Sequence, residues 1–234
     1  MTEVRKASPA HDYPVEAGAY VRGNDLSPVA VAVILRYDRE KTPPSIERLV
    51  QSAVEGGAAL AGTLQTENVG IEKIVCNLAG NPNIRHLIVF GPESPGHLVG
   101  DALVKLGANG MDGERRIVGA KALSPYLFNV DPGAVERFCR QVTVVDLVGE
   151  GGEDVLREAV RACYQEAPAP FRGLALWDPG AYPEPPLSAK IAWRVTDPTK
   201  EPKNDAERAQ AEKLQAYMAK MKASLQARRR RGRP

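Results

Sequence analysis

The stretch 83–110 constrains the fold of this chain more than any other part of the sequence. Residues 84–90 form an apolar run with asparagine and proline before it and glycine after it, which predicts a buried strand. A glycine- and proline-containing loop follows. From His97 apolar side chains recur at helical spacing, and Gly107 and Gly110 mark where this helix can end. This order places the loop, with His97 at its tip, at the carboxyl edge of a sheet, where open α/β folds bind ligands.

The rest of the chain repeats the alternation of apolar runs and helical patterns. The predicted strands are 28–35, 84–90, 115–119 and 142–148, and the predicted helices begin near Pro43, Thr66, His97, Pro132 and Gly152. Residues 62–70 are predicted as a loop. Strands that alternate with helices predict an α/β fold, with a mostly parallel sheet and helices on both of its faces.

Composition divides the 234 residues into four segments. Residues 1–27 are polar and predict a surface arm, 28–166 hold the α/β domain, and 167–202 are proline-rich and predict an extension folded back over the domain. Residues 203–234 predict a C-terminal helix that opens on a capping box and ends in a basic tail. The narrow apolar stripe of this helix has two interpretations: it packs on its own domain, or it mediates self-association or contact with a partner helix.

Charge, hydropathy and cysteines indicate the compartment. No apolar run approaches the roughly 20 residues of a membrane span, and the N-terminus has no apolar signal core, so we expect a soluble, cytoplasmic protein rather than an integral membrane protein. Cys76, Cys139 and Cys163 are predicted to be reduced, buried thiols. Five arginines in the last seven residues account for the positive net charge, and the remainder is slightly acidic, which argues against nucleic-acid binding.

The loop 91–96 has the glycine spacing of a phosphate-binding loop but not its chemistry. His97 and Leu98 stand where such a loop has lysine and a hydroxyl residue, which argues against nucleotide hydrolysis. The turn 36–41 after the first strand has no glycine, which argues against a dinucleotide fold. An imidazole at the mouth of a sheet suits a nitrogen ligand to a metal, and the alternative is a first-turn helix residue without a ligand.

Two other groups of polar residues have open interpretations. Thr66, Glu67 and Asn68 either cap the following helix or hydrogen-bond a polar ligand in the same crevice as His97. His86 lies inside an apolar strand and is interpreted as a hydrogen-bonded core residue rather than a ligand.

Sequence runs in the same region carry a family resemblance. TENVGIEK, NPNIR, GPESPGHLVG and RRIVGA follow one another between positions 62 and 120. With their spacing, the chain from about position 13 to about 165 resembles the A subunit of tetrahydromethanopterin S-methyltransferase, which carries the corrinoid in a membrane methyltransferase of methanogens. His97 and Gly100 also form H-x-x-G, the second half of the D-x-H-x-x-G pattern of many corrinoid-binding domains, although Pro95 stands in place of the aspartate.

The resemblance implies a Rossmann-like fold and a corrinoid cofactor, cobalamin or a related cobamide, with His97 as the axial ligand of cobalt. It implies that the chain carries a methyl group between a methyl-pterin type donor, presented by a methyltransferase partner, and an acceptor. Ligation by His97 would follow the methylation state, and its loop would move with that state. No residue of the chain is predicted to be catalytic by itself. The implied cofactor contacts are His97, Gly96, Glu93, Gly91, Gly100, Thr66, Glu67, Asn68, Gly119 and Ala120.

Two further expectations concern the neighbours of His97 and the end of the chain. A hydrogen bond to the second ring nitrogen should set the tautomer, and the candidates are Glu93 or a backbone carbonyl. The family member in the membrane complex ends in a spanning helix, whereas this sequence ends in a charged helix and arginines. The terminal segment therefore has two interpretations: a solvated terminus, or a docking device for a partner protein or an anionic lipid surface. The alternative function is a non-catalytic binding homologue that acts as a regulatory or scaffold module through that helix.

Overall fold

The fold is built on a sheet whose central strands are the apolar runs of the sequence. A computed structural model describes residues 5–36, 42–165, 167, 169–191 and 209. The strands are β1 (Tyr20–Arg22), β2 (Val29–Ile34), β3 (Leu60–Leu64), β4 (His86–Gly91), β5 (Thr143–Val148), β6 (Ala169–Phe171) and β7 (Leu174–Leu176). The helices are α1 (Pro44–Glu55), α2 (Val69–Ala79), α3 (Val99–Asn109), α4 (Pro132–Gln141) and α5 (Glu153–Ala162).

Within these described residues, five strands form the main sheet in the order β1-β3-β2-β4-β5. The four strands β3, β2, β4 and β5 are parallel, and β1 adds to the edge of β3 in the antiparallel direction. The mostly parallel sheet predicted from the sequence is therefore confirmed. Because β3 and β4 are parallel, the loops that follow them leave the same carboxyl edge.

Helices cover both faces of this sheet. All six residues of β2 and all six of β4 are buried, as expected for strands packed on two sides. On one face, Val31 and Ile88 pack in a cluster with residues of α1 and α5. On the other, Ala32 and Val89 pack in a cluster with residues of α2, α3 and α4. Each central strand thus contributes alternate side chains to two separate cores.

Two strand predictions were wrong in opposite directions. Residues 62–70 were predicted as a loop, but Gly62 lies inside β3. Glycine is needed there because the neighbouring chain at β1 passes so close that a Cβ would lie 2.7 Å from Ala19 O. Residues 115–119 were predicted as a strand, but here the structure has isolated bridges, Met111 with Ile117 and Arg116 with Tyr126. A short apolar run does not by itself show whether a neighbouring strand is available.

The helix α3 begins later than its pattern suggests and ends at Gly110, the second of the two predicted ends. It starts at Val99, after Leu98 in a left-handed conformation with φ 45°, and it continues through Gly107 to Asn109. Gly107 is not a helix end but a contact point, because a Cβ at this position would lie 2.3 Å from Val144 Cγ2 on β5. The glycine lets the helix approach the sheet.

We expect Gly107→Ala to destabilise the protein by about 1–2 kcal/mol, because the clash with Val144 outweighs the gain of roughly 1 kcal/mol in helix propensity. Urea unfolding measures the change. Gly151→Ala is the control, since nothing lies within 4 Å of a Cβ there. A Gly107→Ala variant as stable as the parent would show that the helix and β5 separate without penalty.

The extension after α5 packs on the domain. Its backbone amides donate to the domain at Ala181 to Arg5 O, Tyr182 to Pro82 O and Leu187 to Ala79 O, at 2.7 to 2.9 Å. The division into segments at 27/28 and 166/167 stays a prediction, and residues 1–191 form one compact unit. The predicted C-terminal helix and arginine tail at 203–234 lie outside the described residues, apart from Ala209. No helix in the described part of the chain is long and apolar enough to cross a membrane.

Candidate functional site

Three loops meet at the carboxyl edge of the sheet, around His97. They are the loop after β3 (65–68), the loop after β4 (92–98) and the segment 119–124, which comes after α3 in the chain. Glu67 of the first loop contacts His97 of the second and Ser124 of the third. Asp101, in the first turn of α3, accepts a hydrogen bond of 2.8 Å from the backbone amide of Lys121.

The backbone requires glycine at two positions, at the end of β4 and within the second loop. Gly91 and Gly96 have φ values of 108° and 82°, in the left-handed region that L side chains rarely adopt. A Cβ at Gly96 would meet nothing within 4 Å apart from its chain neighbours, so glycine is required there by the backbone conformation and not by packing. At Gly100, by contrast, a Cβ would lie 2.8 Å from Ile34 Cδ1 and from Val148 Cγ2. Gly100 therefore serves the packing of α3 on the sheet.

Glu93 caps the helix α3 and does not orient His97, so that prediction was wrong. Its Oε1 accepts from the amides of Ser94 (2.8 Å) and Gly100 (3.0 Å), and its Oε2 accepts from the amide of Asp101 (2.8 Å). The amides of Gly100 and Asp101 belong to the first turn of α3 and would otherwise be unpaired, and a negative charge at this end is also favoured by the helix dipole. Both carboxylate oxygens are thereby engaged at the helix.

The residue that orients His97 is Glu67. His97 Nδ1 donates to Glu67 Oε2 at 3.1 Å, and the two side chains are 61% and 6% exposed. An acceptor at Nδ1 selects the tautomer that has its proton there, which leaves the Nε2 lone pair for a metal. The pair thus combines an accessible imidazole with a buried carboxylate that holds it in one orientation.

The neighbours of Glu67 cap the next helix. Asn68 is the N-cap residue of α2, and its side chain accepts from the amide of Val69 at 2.7 Å. Thr66 Oγ1 accepts from the amide of Gly70 at 2.8 Å. The capping interpretation therefore describes these two side chains, whereas Glu67 alone of the three reaches His97.

The third loop and the start of α3 contain two predicted contacts and two residues that the sequence did not indicate. Gly119 was implied as a contact and has a φ of 79°, and Ala120 is buried with its carbonyl bonded to Arg116 Nη2 at 3.1 Å. Ser124 and Asp101 were missed. Ser124 contributes a backbone amide, which no side-chain pattern reveals, and Asp101 resembles an ordinary first-turn acidic residue.

The histidine of β4 and the three cysteines lie in or next to the core. His86 is 5% exposed, its Nε2 contacts Trp177 O at 2.7 Å, and burial lowers its pKa, as expected for the predicted core histidine. Burial raises the pKa of Cys76 and Cys163 to about 12, and it also raises the pKa of the half-buried Cys139. Among the described residues, no group of three or more histidine, cysteine or acidic side chains could hold a metal ion.

Comparison with known proteins gives a consistent result. The model of the family of tetrahydromethanopterin S-methyltransferase A subunits matches residues 6–191. The A 1 subunit of this enzyme from Methanothermobacter thermautotrophicus is 38% identical over 80% of this chain and 70% of its own length. The A 2 subunit from the same organism is 39% identical over 80% of this chain and 91% of its own length. The A subunit from Methanocaldococcus jannaschii is 38% identical, with coverage of 80% and 69%.

Proposed function

Because the chain belongs to the family of the A subunit of tetrahydromethanopterin S-methyltransferase, we propose that it is a methyltransferase component that binds a corrinoid and carries a methyl group. The observation that carries the proposal is the pair of His97 and Glu67 at the carboxyl edge of the sheet. An exposed imidazole oriented by a buried carboxylate is the arrangement expected of a metal-ligating histidine.

The donor set of the site fits a corrinoid. His97 is a single accessible nitrogen donor, and the described residues offer no cluster that could complete a protein-only metal site. The metal would therefore have to arrive with ligands of its own, as cobalt does in a corrin ring.

The chain's own residues would hold and orient this group. His97 would offer Nε2, and Glu67 would keep the ring in place through Nδ1. The other proposed contacts lie in the surrounding loops, at the end of β4 and in the first turn of α3. They are Thr66, Asn68, Gly91, Glu93, Gly96, Gly100, Gly119 and Ala120. When bound, the corrinoid would supply a cobalt ion able to accept a methyl group from a methyl-pterin type donor and pass it to an acceptor.

The finer features of the predicted function belong to the same proposal. They are a Rossmann-like fold, a partner methyltransferase that presents the donor, and a cytoplasmic location. The strand order supports a Rossmann-like fold. After β2 the chain forms β3 on one side of β2, and it then crosses to form β4 on the other side. Open α/β sheets bind ligands at the carboxyl ends of strands where the order reverses in this way.

Titration with aquocobalamin tests the proposal. We expect a single cobamide to remain with each chain through gel filtration, with a visible spectrum that differs from that of free aquocobalamin because a protein nitrogen replaces an axial ligand. Cobalt and protein are quantified in the same fractions. Protein that elutes without cobalt, or with an unchanged cobalamin spectrum, would contradict the proposed function.

A further inference from the structure

We propose that Glu67 is a positioning residue that couples the ring of His97 to the segment 119–124, so that a change at the histidine is transmitted to that segment. One carboxylate serves both sides: Oε2 accepts from His97 Nδ1 at 3.1 Å, and Oε1 accepts from the backbone amide of Ser124 at 3.2 Å. The inference deepens the proposed function, and it rests on that function only for the role of His97 as a ligand.

The burial of Glu67 makes this link sensitive to both partners. Its side chain is 6% exposed, so water does not freely replace a lost donor, and an unpaired carboxylate oxygen has to turn toward solvent or toward another donor. Such a turn would lengthen the bond from Oε1 to Ser124. The two hydrogen bonds therefore depend on each other, although His97 and Ser124 belong to different loops.

The segment 119–124 is placed to respond. Asp101 holds it at the amide of Lys121 (2.8 Å), and Glu67 holds it three residues later at Ser124. Between these two anchors lies Leu123, with 77% of its surface exposed. Release of the second anchor would allow the exposed Leu123 side chain, which directly precedes Ser124, to move.

Amide hydrogen exchange of the protein without added ligand tests the coupling. We expect the Ser124 amide to exchange about tenfold faster in His97→Ala, because Glu67 is then free to turn away. Glu67→Ala should have a similar effect, since it removes both acceptor oxygens and leaves the Ser124 amide without its partner. His97→Asn retains an N–H donor near the position of Nδ1 and should keep most of the protection.

Matched controls separate a local effect from general destabilisation. Glu136→Ala makes the same chemical change at an exposed position of α4 and should leave Ser124 exchange unchanged. The amide of Val31, in the centre of the sheet, should keep its rate in every variant if the fold is intact.

The outcomes distinguish this inference from the proposed function. If Ser124 exchanges faster in Glu67→Ala but not in His97→Ala, Glu67 holds the segment independently of the histidine, and the coupling is wrong. It is equally wrong if neither variant changes the Ser124 rate. Because these measurements use no cobalamin, they stand whether or not the titration with aquocobalamin finds binding.

Discussion

Replacing His97 by alanine is expected to remove nitrogen ligation of bound cobalt and to leave the fold unchanged. The His97 side chain is 61% exposed, but its removal leaves one oxygen of the buried Glu67 without a donor, so the free energy of unfolding should fall by about 1 kcal/mol, which is too little to unfold the domain. Loss of an axial ligand should weaken cobalamin binding at least about tenfold, which corresponds to ~1.4 kcal/mol. Electron paramagnetic resonance of the cobalt(II) form measures ligation by the protein when the protein is labelled with the heavy isotope of nitrogen, since that isotope splits the signal differently from the nitrogen of cobalamin's own base.

The control for this experiment is His11→Ala, which removes a histidine with an 89% exposed side chain from the N-terminal arm. It should keep both the nitrogen splitting and the affinity of the parent protein. Identical signals from the parent and from His97→Ala would show that His97 is not the ligand.

The second large effect is expected in the core, at Gln141. This side chain is 2% exposed, and its Nε2 donates to Leu78 O (3.1 Å), Asn81 O (2.8 Å) and Ile84 O (2.9 Å). One amide group thus holds the end of α2 against the turn that leads into β4. Its Oε1 also accepts from Arg137 Nε at 2.9 Å, so the same group satisfies a buried guanidinium.

Gln141→Leu is expected to destabilise the protein by roughly 3 kcal/mol. Leucine fills a similar volume but can neither donate nor accept, so buried carbonyls and the guanidinium lose partners that water cannot easily replace. For a protein of this size the change should lower the Tm by roughly 6–12 °C. Thermal unfolding followed by circular dichroism measures it.

Gln51→Leu is the matched control, because Gln51 is an exposed helical glutamine whose amide contacts Glu55 Oε1 at 3.4 Å. Its Tm should stay close to that of the parent. A Gln141→Leu variant with a Tm within about 2 °C of the parent would show that the surrounding carbonyls find other donors.

The position of the candidate site could be predicted from the sequence because it depends on local patterns. A buried apolar run before Gly91, and a helical pattern after it, place His97 at the end of a strand whatever the neighbouring elements are. The side chains around His97 could not be assigned in the same way. The expected partners were Glu93, which is close in sequence, or a backbone carbonyl, whereas Glu67, which makes the contact, is 30 residues away.

The physical reason is that a carboxylate has several uses near a helix start. Glu93 lies within reach of the unpaired amides of α3, and capping them engages both of its oxygens. Glu67 reaches His97 because β3 and β4 are parallel and their loops leave the same edge of the sheet. Strand order is a property of the whole fold, and no spacing in the sequence encodes it directly.

The sequence by itself therefore determined the α/β class, the buried strands β2 and β4, the position of β5, the family and the histidine at the loop tip, since periodicity and short motifs are local. Tertiary structure alone decided that Gly62 and Gly107 are contact points rather than ends of elements, because only the neighbouring backbone and side chains show why a Cβ does not fit there. It also decided that Glu67, through its two oxygens, joins His97 to Ser124, because that contact exists only once three separate loops have been brought to one edge of the sheet.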